Sequence, residues 1–280
     1  MRRRWRRRRV LAAAALTGAA LLLAGCAQSV DPIERLGEKA AQRVRHPAPA
    51  RDVAYRHWGL RAPLAPAPSP PARVPLRPRA PRRRGLPPLP VVDRVPTSDK
   101  VVFLTYDDGA EKDPRFVDMV RELRLPVSMF LTDSVVGPGY GHFARLRSVG
   151  AAVQNHTLDH PAMAGLPYAG QRAEICGQQE KLRSRFGVRP RLFRPPYGTY
   201  DATTLRAAAD CGISAVVLWR ASVTADALAY ARGEHRLHRG DIIQVGPEGS
   251  TGPDLKDRTL RLLREAQARG LTVGRLEDYV

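Results

Sequence analysis

Two histidines, His156 and His160, stand four residues apart in the stretch NHTLDHP, directly after a short apolar run. This spacing places both imidazoles on one face of a single turn, where they can reach the same point. Two adjacent carboxylates, Asp107 and Asp108, follow a second apolar run, VVFLTY. Imidazoles and carboxylates together suit a catalytic zinc site, in which three protein ligands leave one position open for water. Each pair alone also occurs by chance on polar surfaces.

The apolar pattern predicts alternating strands and helices that would bring these residues together. We predict strands at 101–106, 127–131, 151–153, 191–193, 214–218, 241–245 and 271–276, and helices at 113–123, 143–149, 168–186, 203–210 and 254–268. Such alternation indicates a parallel β/α fold, either a barrel or an open sheet. Function collects at the carboxyl ends of strands in these folds. The carboxylate pair, the histidine pair and the segment FRPPYG (193–198) each follow a strand, so they should project from one rim.

Three segments, TYDDG, NHTLDHP and FRPPYG, resemble in this order the first three motifs of the polysaccharide deacetylases. This is carbohydrate esterase family four, with the NodB-homology domain, and the resemblance runs from about Lys100 to the C-terminus. The resemblance implies an α/β fold, a distorted (β/α) barrel of the polysaccharide deacetylase type. It also implies hydrolysis of N-acetyl groups on an N-acetylhexosamine polymer such as peptidoglycan or chitin.

The resemblance assigns roles to individual residues. A divalent metal, zinc, would be bound by Asp108, His156 and His160. Asp107 would act as general base, and Arg194 would pair with it and favour its charged form. Zinc and the backbone N–H of Tyr197 would stabilise the oxyanion. The alternatives are that Asp107 caps the next helix and that Arg194 is a structural ion-pair partner.

Two later motifs depart from the family pattern. Ser222 stands where the family has an Asp that braces the motif-three arginine, and Asp226 fits only if the alignment slips by one position. After the strand GDII, Gly246 occupies the place of the family's general-acid histidine. Loss of a general acid typically costs ~10²–10⁴ in rate. A catalytically impaired, glycan-binding pseudoenzyme is therefore the alternative function, and Glu248 is a candidate replacement acid.

Other polar and aromatic residues near the motifs receive structural interpretations. We expect Asn155 and Thr157 to bond backbone or neighbouring groups, because such contacts fix which imidazole nitrogen faces an ion. Trp219 would line the acetyl pocket or belong to the core. Three histidines outside the motifs are expected at the surface: His142, His235 and His238.

The N-terminal third carries most of the net charge of +19, with 22 Lys and Arg against 6 Asp and Glu in residues 1–100 and 24 against 21 in residues 101–280. The nearly neutral remainder argues against a nucleic-acid-binding face. The cationic start, MRRRWRRRR, precedes an apolar run at 10–24 that ends in LAGC and resembles a bacterial lipobox. Lipidated Cys26 would anchor the exported chain on the outer face of the cytoplasmic membrane of a bacterium. An uncleaved anchor helix is the alternative.

The chain therefore divides into a lipoprotein signal peptide (1–25), a lipid-anchored Pro/Arg-rich linker (26–98) and the deacetylase domain (99–280). A short helix is predicted at 31–45. Residues 61–96 contain 12 prolines in 36 positions and should form a disordered, extended, polyproline-like tail. A structural wall tether acting through this tail is a third hypothesis.

Removal of Cys26 leaves Cys176 and Cys211, an even pair in an oxidising compartment. They would form either a disulfide, worth roughly 3–4 kcal/mol on the chain-entropy model, or two buried thiols.

Overall fold

A computed structural model describes residues 51–69, 89–224, 227–246 and 254–280. The proposed signal peptide, Cys26, the helix predicted at 31–45, most of the proline-rich segment, Asp226 and Glu248 lie outside the described residues.

The described residues form short strands and helices that alternate along the chain. The strands are β1 (Val91–Val92), β2 (Val101–Asp108), β3 (Val127–Leu131), β4 (Ala152–Asn155), β5 (Leu192–Phe193), β6 (Ala215–Val217), β7 (Ala221–Val223), β8 (Leu228–Tyr230), β9 (Ile242–Val245) and β10 (Thr272–Val273). The helices are α1 (Arg51–His57), α2 (Pro114–Leu123), α3 (Asp133–Val136), α4 (Tyr140–Ser148), α5 (Tyr168–Phe186), α6 (Ala202–Asp210) and α7 (Leu255–Ala268). Within the described ranges, three further segments form 3₁₀ turns: Gly137–Gly139, Pro196–Gly198 and Leu276–Asp278.

The strands form one curled sheet in the order β1-β6-β5-β4-β3-β2-β9-β7-β8, with β10 beside the start of β2. Neighbouring strands are parallel, apart from the antiparallel β7–β8 pair. Parallel neighbours joined through helices produce a β/α sheet with its strand ends at one rim. The predicted distorted (β/α) barrel fold is confirmed, in the form of a curled sheet with β1 and β8 as its ends.

The two-residue alternation of β2 decides which side chains reach the interior of the curl. Phe103 belongs to the cluster inside the curled sheet, together with Phe130 and Ile242. Val102, Leu104 and Tyr106 belong to the cluster between the sheet and the helices. Continued to the end of the strand, the alternation places Thr105 and Asp107 on the same side as Phe103.

Two parts of the predicted linker belong to the folded domain. Helix α1 and the turn after it bury Ala54, Trp58 and Leu60, and the Trp58 Nε1 donates to Glu122 Oε2 at 2.8 Å. Strand β1 forms the edge of the sheet and pairs with β6, with the Leu218 N–H donating to the Val92 carbonyl at 2.8 Å. A high proline content does not exclude these residues from the fold, because short apolar stretches between prolines are enough to pack a chain against an existing core.

Helix α5 and the end of α6 are joined by the Cys176–Cys211 disulfide, with an S–S distance of 2.04 Å. Of the two alternatives for these cysteines, the disulfide is the one present. None of the helices in the described ranges combines the length and apolar character that crossing a bilayer requires.

Candidate metal centre

Strand β2 ends in the two carboxylates of the first motif. Asp107 continues the inward-facing series of the strand, whereas Asp108 adopts a left-handed backbone conformation with φ 65°. The Gly109 N–H donates to the Asp107 carbonyl at 2.7 Å, and the Thr132 N–H donates to the Asp108 carbonyl at 3.1 Å. This turn sends the two adjacent side chains in different directions, so each can take a separate role.

The histidine pair lies in a loop after β4. The four-residue spacing predicts instead that both imidazoles lie on one face of a regular turn. Thr157 (φ 75°) and His160 (φ 61°) are both left-handed, and the loop curls back so that the two imidazoles converge. Asn155 Oδ1 accepts the Thr157 N–H at 3.0 Å, and Thr157 Oγ1 accepts the His160 N–H at 3.1 Å. Both polar residues therefore bond backbone groups, as expected from the sequence.

Three side chains converge at the rim: Asp108, His156 and His160. Asp108 Oδ1 lies 3.1 Å from His156 Nε2 and 3.1 Å from His160 Nε2. One ligand atom from each residue lies within 4.8 Å of the other two. Asp108 and His160 are half-buried and His156 is buried, so the cluster is open to the surface on one side. Elements far apart in sequence thus supply one oxygen and two nitrogens to one small volume.

The hydrogen bonds of His156 show that this cluster fits a cation. His156 Nδ1 lies 2.7 Å from the Arg194 carbonyl oxygen, which can only accept, so Nδ1 carries the proton. In the neutral ring Nε2 then aims a lone pair at Asp108 Oδ1, which is also an acceptor. Asp108 Oδ1 is buried and has no well-aligned hydrogen-bond donor among the described residues. A cation between these atoms satisfies both, and an N₂O donor set suits a divalent transition metal.

When no ion is bound, protonated imidazoles take the place of the cation beside Asp108, and the pKa values of the ligand side chains shift accordingly. Burial alone would raise the pKa of Asp108, but the imidazoles of His156 and His160 outweigh it and hold that pKa well below 3.8. The Asp108 carboxylate in turn raises the pKa of His160 above 6.5, against the effect of burial. The site therefore favours positive charge, whether from a proton or from a metal ion.

Asp107 and Arg194 form a buried ion pair beside the cluster. Arg194 Nη1 donates to Asp107 Oδ1 at 2.5 Å, and neither residue is more than 7% exposed. Two backbone carbonyls hold the rest of the guanidinium, since Nε donates to Val217 and Nη2 donates to Leu218, each at 3.2 Å. These carbonyls hold Arg194 in the absence of the bracing Asp, whose place Ser222 occupies on β7.

Gln244 is a further site residue, which sequence reasoning does not identify. Its Nε2 donates to Asp107 Oδ2 at 2.6 Å. Strand register explains the contact, because Gln244 lies opposite Thr105 and so on the inward-facing side of β9. The available signal is one polar residue in the otherwise apolar strand IIQV.

The third motif places Tyr197 at the rim. Tyr197 has φ 59°, the residue is 66% exposed, and its ring centroid lies 4.8 Å from that of His160. Gly198, with φ 68°, allows close packing, because a Cβ there would lie 3.1 Å from the Trp219 ring. Trp219 therefore packs under this turn. Its ring centroid lies 5.5 Å from the Arg194 guanidinium carbon.

Gly246 follows directly after β9 and occupies the place of the family's histidine. The Gly246 carbonyl accepts from the buried Arg258 of α7, which also pairs with Glu111. Glu111 additionally accepts the Leu255 N–H at the start of α7, at 2.8 Å. This network fixes the backbone at the strand end and supplies no imidazole.

The three histidines that the sequence predicts at the surface differ in burial. His235 is exposed and His238 partly so, whereas His142 is only 4% exposed, which corrects the prediction that it lies at the surface. It lies on the inner side of α4 beside Phe143, with a centroid distance of 5.2 Å, and burial lowers its pKa.

A family model described as polysaccharide deacetylase matches residues 94–216. An uncharacterised protein of Streptomyces coelicolor is 66% identical over 202 residues, which cover 72% of this chain and 80% of that protein. A chitin deacetylase of Amylomyces rouxii is 32% identical over 157 residues, covering 52% of this chain and 35% of the enzyme. This chain therefore aligns with only about a third of that enzyme.

Solved structures share the fold at low sequence identity. A family 4 carbohydrate esterase (CE4) pseudoenzyme from Bacillus anthracis superposes with a TM-score of 0.59 at 20% identity, covering 69% of each chain. The likeness in fold agrees with the family-model match and with the sequence relatives. The chain therefore contains a domain of the polysaccharide deacetylase type, which the family model matches over residues 94–216.

Proposed function

We propose that this protein hydrolyses N-acetyl groups on an extracellular or cell-wall polysaccharide, of the peptidoglycan or chitin type, in a metal-dependent reaction. The observation that carries the proposal is the pair of facing acceptors, His156 Nε2 and Asp108 Oδ1, which call for a cation between them. The buried Asp107 and Arg194 pair beside that position adds a proton acceptor, which a metal-binding module alone does not require.

The metal would be held by Asp108, His156 and His160, and we propose zinc, because imidazole and carboxylate ligands suit it. Such an ion would polarise the acyl carbonyl and make an attacking water more acidic. The Arg194 carbonyl fixes the tautomer of His156, so that its Nε2 points into the site. The hydrogen bond from His156 Nδ1 thus orients this ligand without an ion being present.

Asp107 would take the proton of the attacking water. Arg194 and Gln244 each occupy one lone pair of the carboxylate, and each carboxylate oxygen has two. Lone pairs therefore remain for a water proton while both donors keep the group in one orientation. Positioning of this kind removes much of the entropic cost of a proton transfer.

The backbone N–H of Tyr197 would stabilise the oxyanion. The Pro196–Gly198 turn brings Tyr197 to the rim next to His160, and a left-handed residue can turn its N–H away from the regular direction of the chain. Donors that are fixed before the reaction contribute strongly to oxyanion stabilisation.

A catalytically impaired, glycan-binding pseudoenzyme is the second candidate function. Gly246 has no side chain to protonate the leaving amine, and the fold resembles a CE4 pseudoenzyme of Bacillus anthracis. Glu248, the candidate replacement acid, lies outside the described residues. The two functions share the metal ligands and differ in turnover.

Acetate release from N-acetylglucosamine oligomers and from peptidoglycan separates the two candidates. We expect slow release by the full-length chain and none by Asp107→Asn, because an amide cannot take the proton. Glycan retention on an affinity gel should be the same for both proteins. If the wild-type chain retains glycan and releases no more acetate than the variant, the pseudoenzyme is the better account.

We also propose that the chain is an exported lipoprotein anchored through Cys26. The support is the cationic start followed by an apolar run that ends in LAGC. Cys26→Ser should move the protein from the membrane fraction to the soluble fraction of the cell envelope. An unchanged membrane fraction would favour the uncleaved anchor helix.

A further inference from the structure

The loop that carries the two histidines needs contacts from outside to keep its shape. Thr157 and His160 both have left-handed φ values, a conformation that is unfavourable for residues with a Cβ. Such residues persist when the surrounding structure determines them. Helix α5 lies against this loop, as does α3, whose Ser134 N–H donates to the Leu158 carbonyl at 2.9 Å.

Glu174 of α5 makes the most specific of these contacts. Its Oε2 accepts the N–H groups of Leu158 and Asp159, each at 3.0 Å. These two peptides lie midway between His156 and His160. Successive N–H groups that point at one oxygen form an anion-binding concavity, and a charged acceptor makes the bonds stronger than neutral ones.

The other roles open to a helix-interior glutamate do not apply to Glu174. It stands well inside α5, so it caps neither end of the helix. No ion pair of Glu174 occurs among the described residues. Its contacts to the loop are therefore the ones that account for its placement.

Packing at the same part of α5 keeps the loop close to the helix. A Cβ at Gly177 would lie 2.5 Å from Leu158 Cδ1, so the loop occupies the space that a side chain would need. Asn155 Nδ2 donates to the Ile175 carbonyl at 2.9 Å. The Cys176–Cys211 disulfide fixes this turn of α5 to the end of α6.

We propose that Glu174 is a positioning residue for the metal centre. By binding the two peptides between the ligands, it sets the distance and orientation of the His156 and His160 imidazoles. It touches neither the ion nor the substrate. The inference rests on the proposed function, since it concerns the affinity of the same site for its metal.

Zinc affinity of the full-length chain tests this role without measuring catalysis. Competition with a chromophoric chelator would give the zinc dissociation constant of the wild type, Glu174→Ala, Glu174→Gln and the control Glu180→Gln. Loss of a contact that orients metal ligands typically weakens binding about 10–100-fold, and we expect that for Glu174→Ala. Glu174→Gln should lose less, because its amide oxygen can still accept. Glu180 lies on the same helix but pairs with Arg183 and Arg189, so its variant should bind like the wild type.

A zinc affinity of Glu174→Ala equal to that of the wild type would overturn the inference. A loss of zinc affinity in Glu180→Gln as large as that in Glu174→Ala would also overturn it, because it would indicate a general effect of the charge on α5. Melting curves without zinc identify any variant that fails to fold. If Glu174→Ala does not fold, the zinc affinity of Glu174→Gln is compared with that of the wild type, and an unchanged affinity overturns the inference. A wild-type chain that takes up no zinc would overturn the proposed function and the inference together. Zinc binding that is indifferent to Glu174 overturns the inference alone.

Discussion

At the scale of single residues, Asp107 is held at both carboxylate oxygens, by Arg194 at Oδ1 and by Gln244 at Oδ2. The motif resemblance leads to Arg194, because FRPPYG follows a predicted strand. It does not lead to Gln244, because the family pattern draws attention to position 246. Only the register of β9 against β2 brings Gln244 to Asp107, and register is a property of the folded sheet.

Gln244→Leu should lower kcat for acetate release about tenfold, equivalent to ~1.4 kcal/mol of barrier, with little change in KM. Leucine has nearly the size of glutamine but cannot donate, so the Asp107 carboxylate loses one of the bonds that orient it. Steady-state kinetics on N-acetylglucosamine oligomers would measure the effect.

The control for this prediction is Gln267→Leu, because Gln267 donates to the Ala62 carbonyl at the start of the chain's described part, away from the site. Its kcat should equal that of the wild type. An unchanged kcat in Gln244→Leu would show that Arg194 alone suffices to orient the base.

At the scale of elements, apolar periodicity predicts the strands and helices that carry the motifs, and α5 occupies the predicted range 168–186. Periodicity does not predict the conformation of the loops between them. The four-residue spacing of His156 and His160 suggests one turn, yet two left-handed residues in a loop achieve the same convergence. The short β7–β8 hairpin is likewise absent from the sequence prediction, since three-residue strands leave too little pattern.

Helix α6 offers a prediction on acid stability. Its N-cap, Asp201, accepts the N–H groups of Gly165 at 2.9 Å and Thr204 at 2.8 Å, and these bonds lower its pKa from 3.8 to about 2. A lowered folded-state pKa contributes stability above pH 3.8 that is lost as the pH falls through about 2. Asp201→Ala should therefore be less stable than the wild type by about 1 kcal/mol at pH 7.

Urea unfolding between pH 7 and pH 3 would test this linkage. The difference in free energy of unfolding between wild type and Asp201→Ala should narrow once the pH falls below 3.8. If the difference in free energy of unfolding stays constant across this pH range, the charge of Asp201 does not contribute to stability.

At the scale of the whole molecule, the folded domain begins before the boundary at residue 99 that composition predicts. A high content of proline and arginine is typical of linkers, but it does not show that a particular segment lies outside the folded domain. Residues 51–69 pack against α2, α7 and β10, where the Arg264 guanidinium and the Gln267 amide bond the Gly59 and Ala62 carbonyls. Such contacts between distant parts of a chain leave no local signal in the sequence.

Trp58→Ala should lower the free energy of unfolding by about 3 kcal/mol, because it removes a large buried ring from the main core. Val53→Ala on the same helix is the control, since Val53 is 54% exposed and should change stability little. Thermal or urea unfolding would measure both. Equal stability of the Trp58→Ala variant and the wild type would restore the interpretation of residues 51–69 as a linker.

Zinc titration of the metal-free full-length chain tests the claim that this protein is a metal-dependent deacetylase. Acetate release from N-acetylglucosamine oligomers is followed as zinc is added, with Asp108→Asn as the blank. We predict that release rises with zinc and saturates at one ion per chain, and that the blank does not respond. Release that persists unchanged after chelation, or no release although one zinc ion is bound, would contradict the claim.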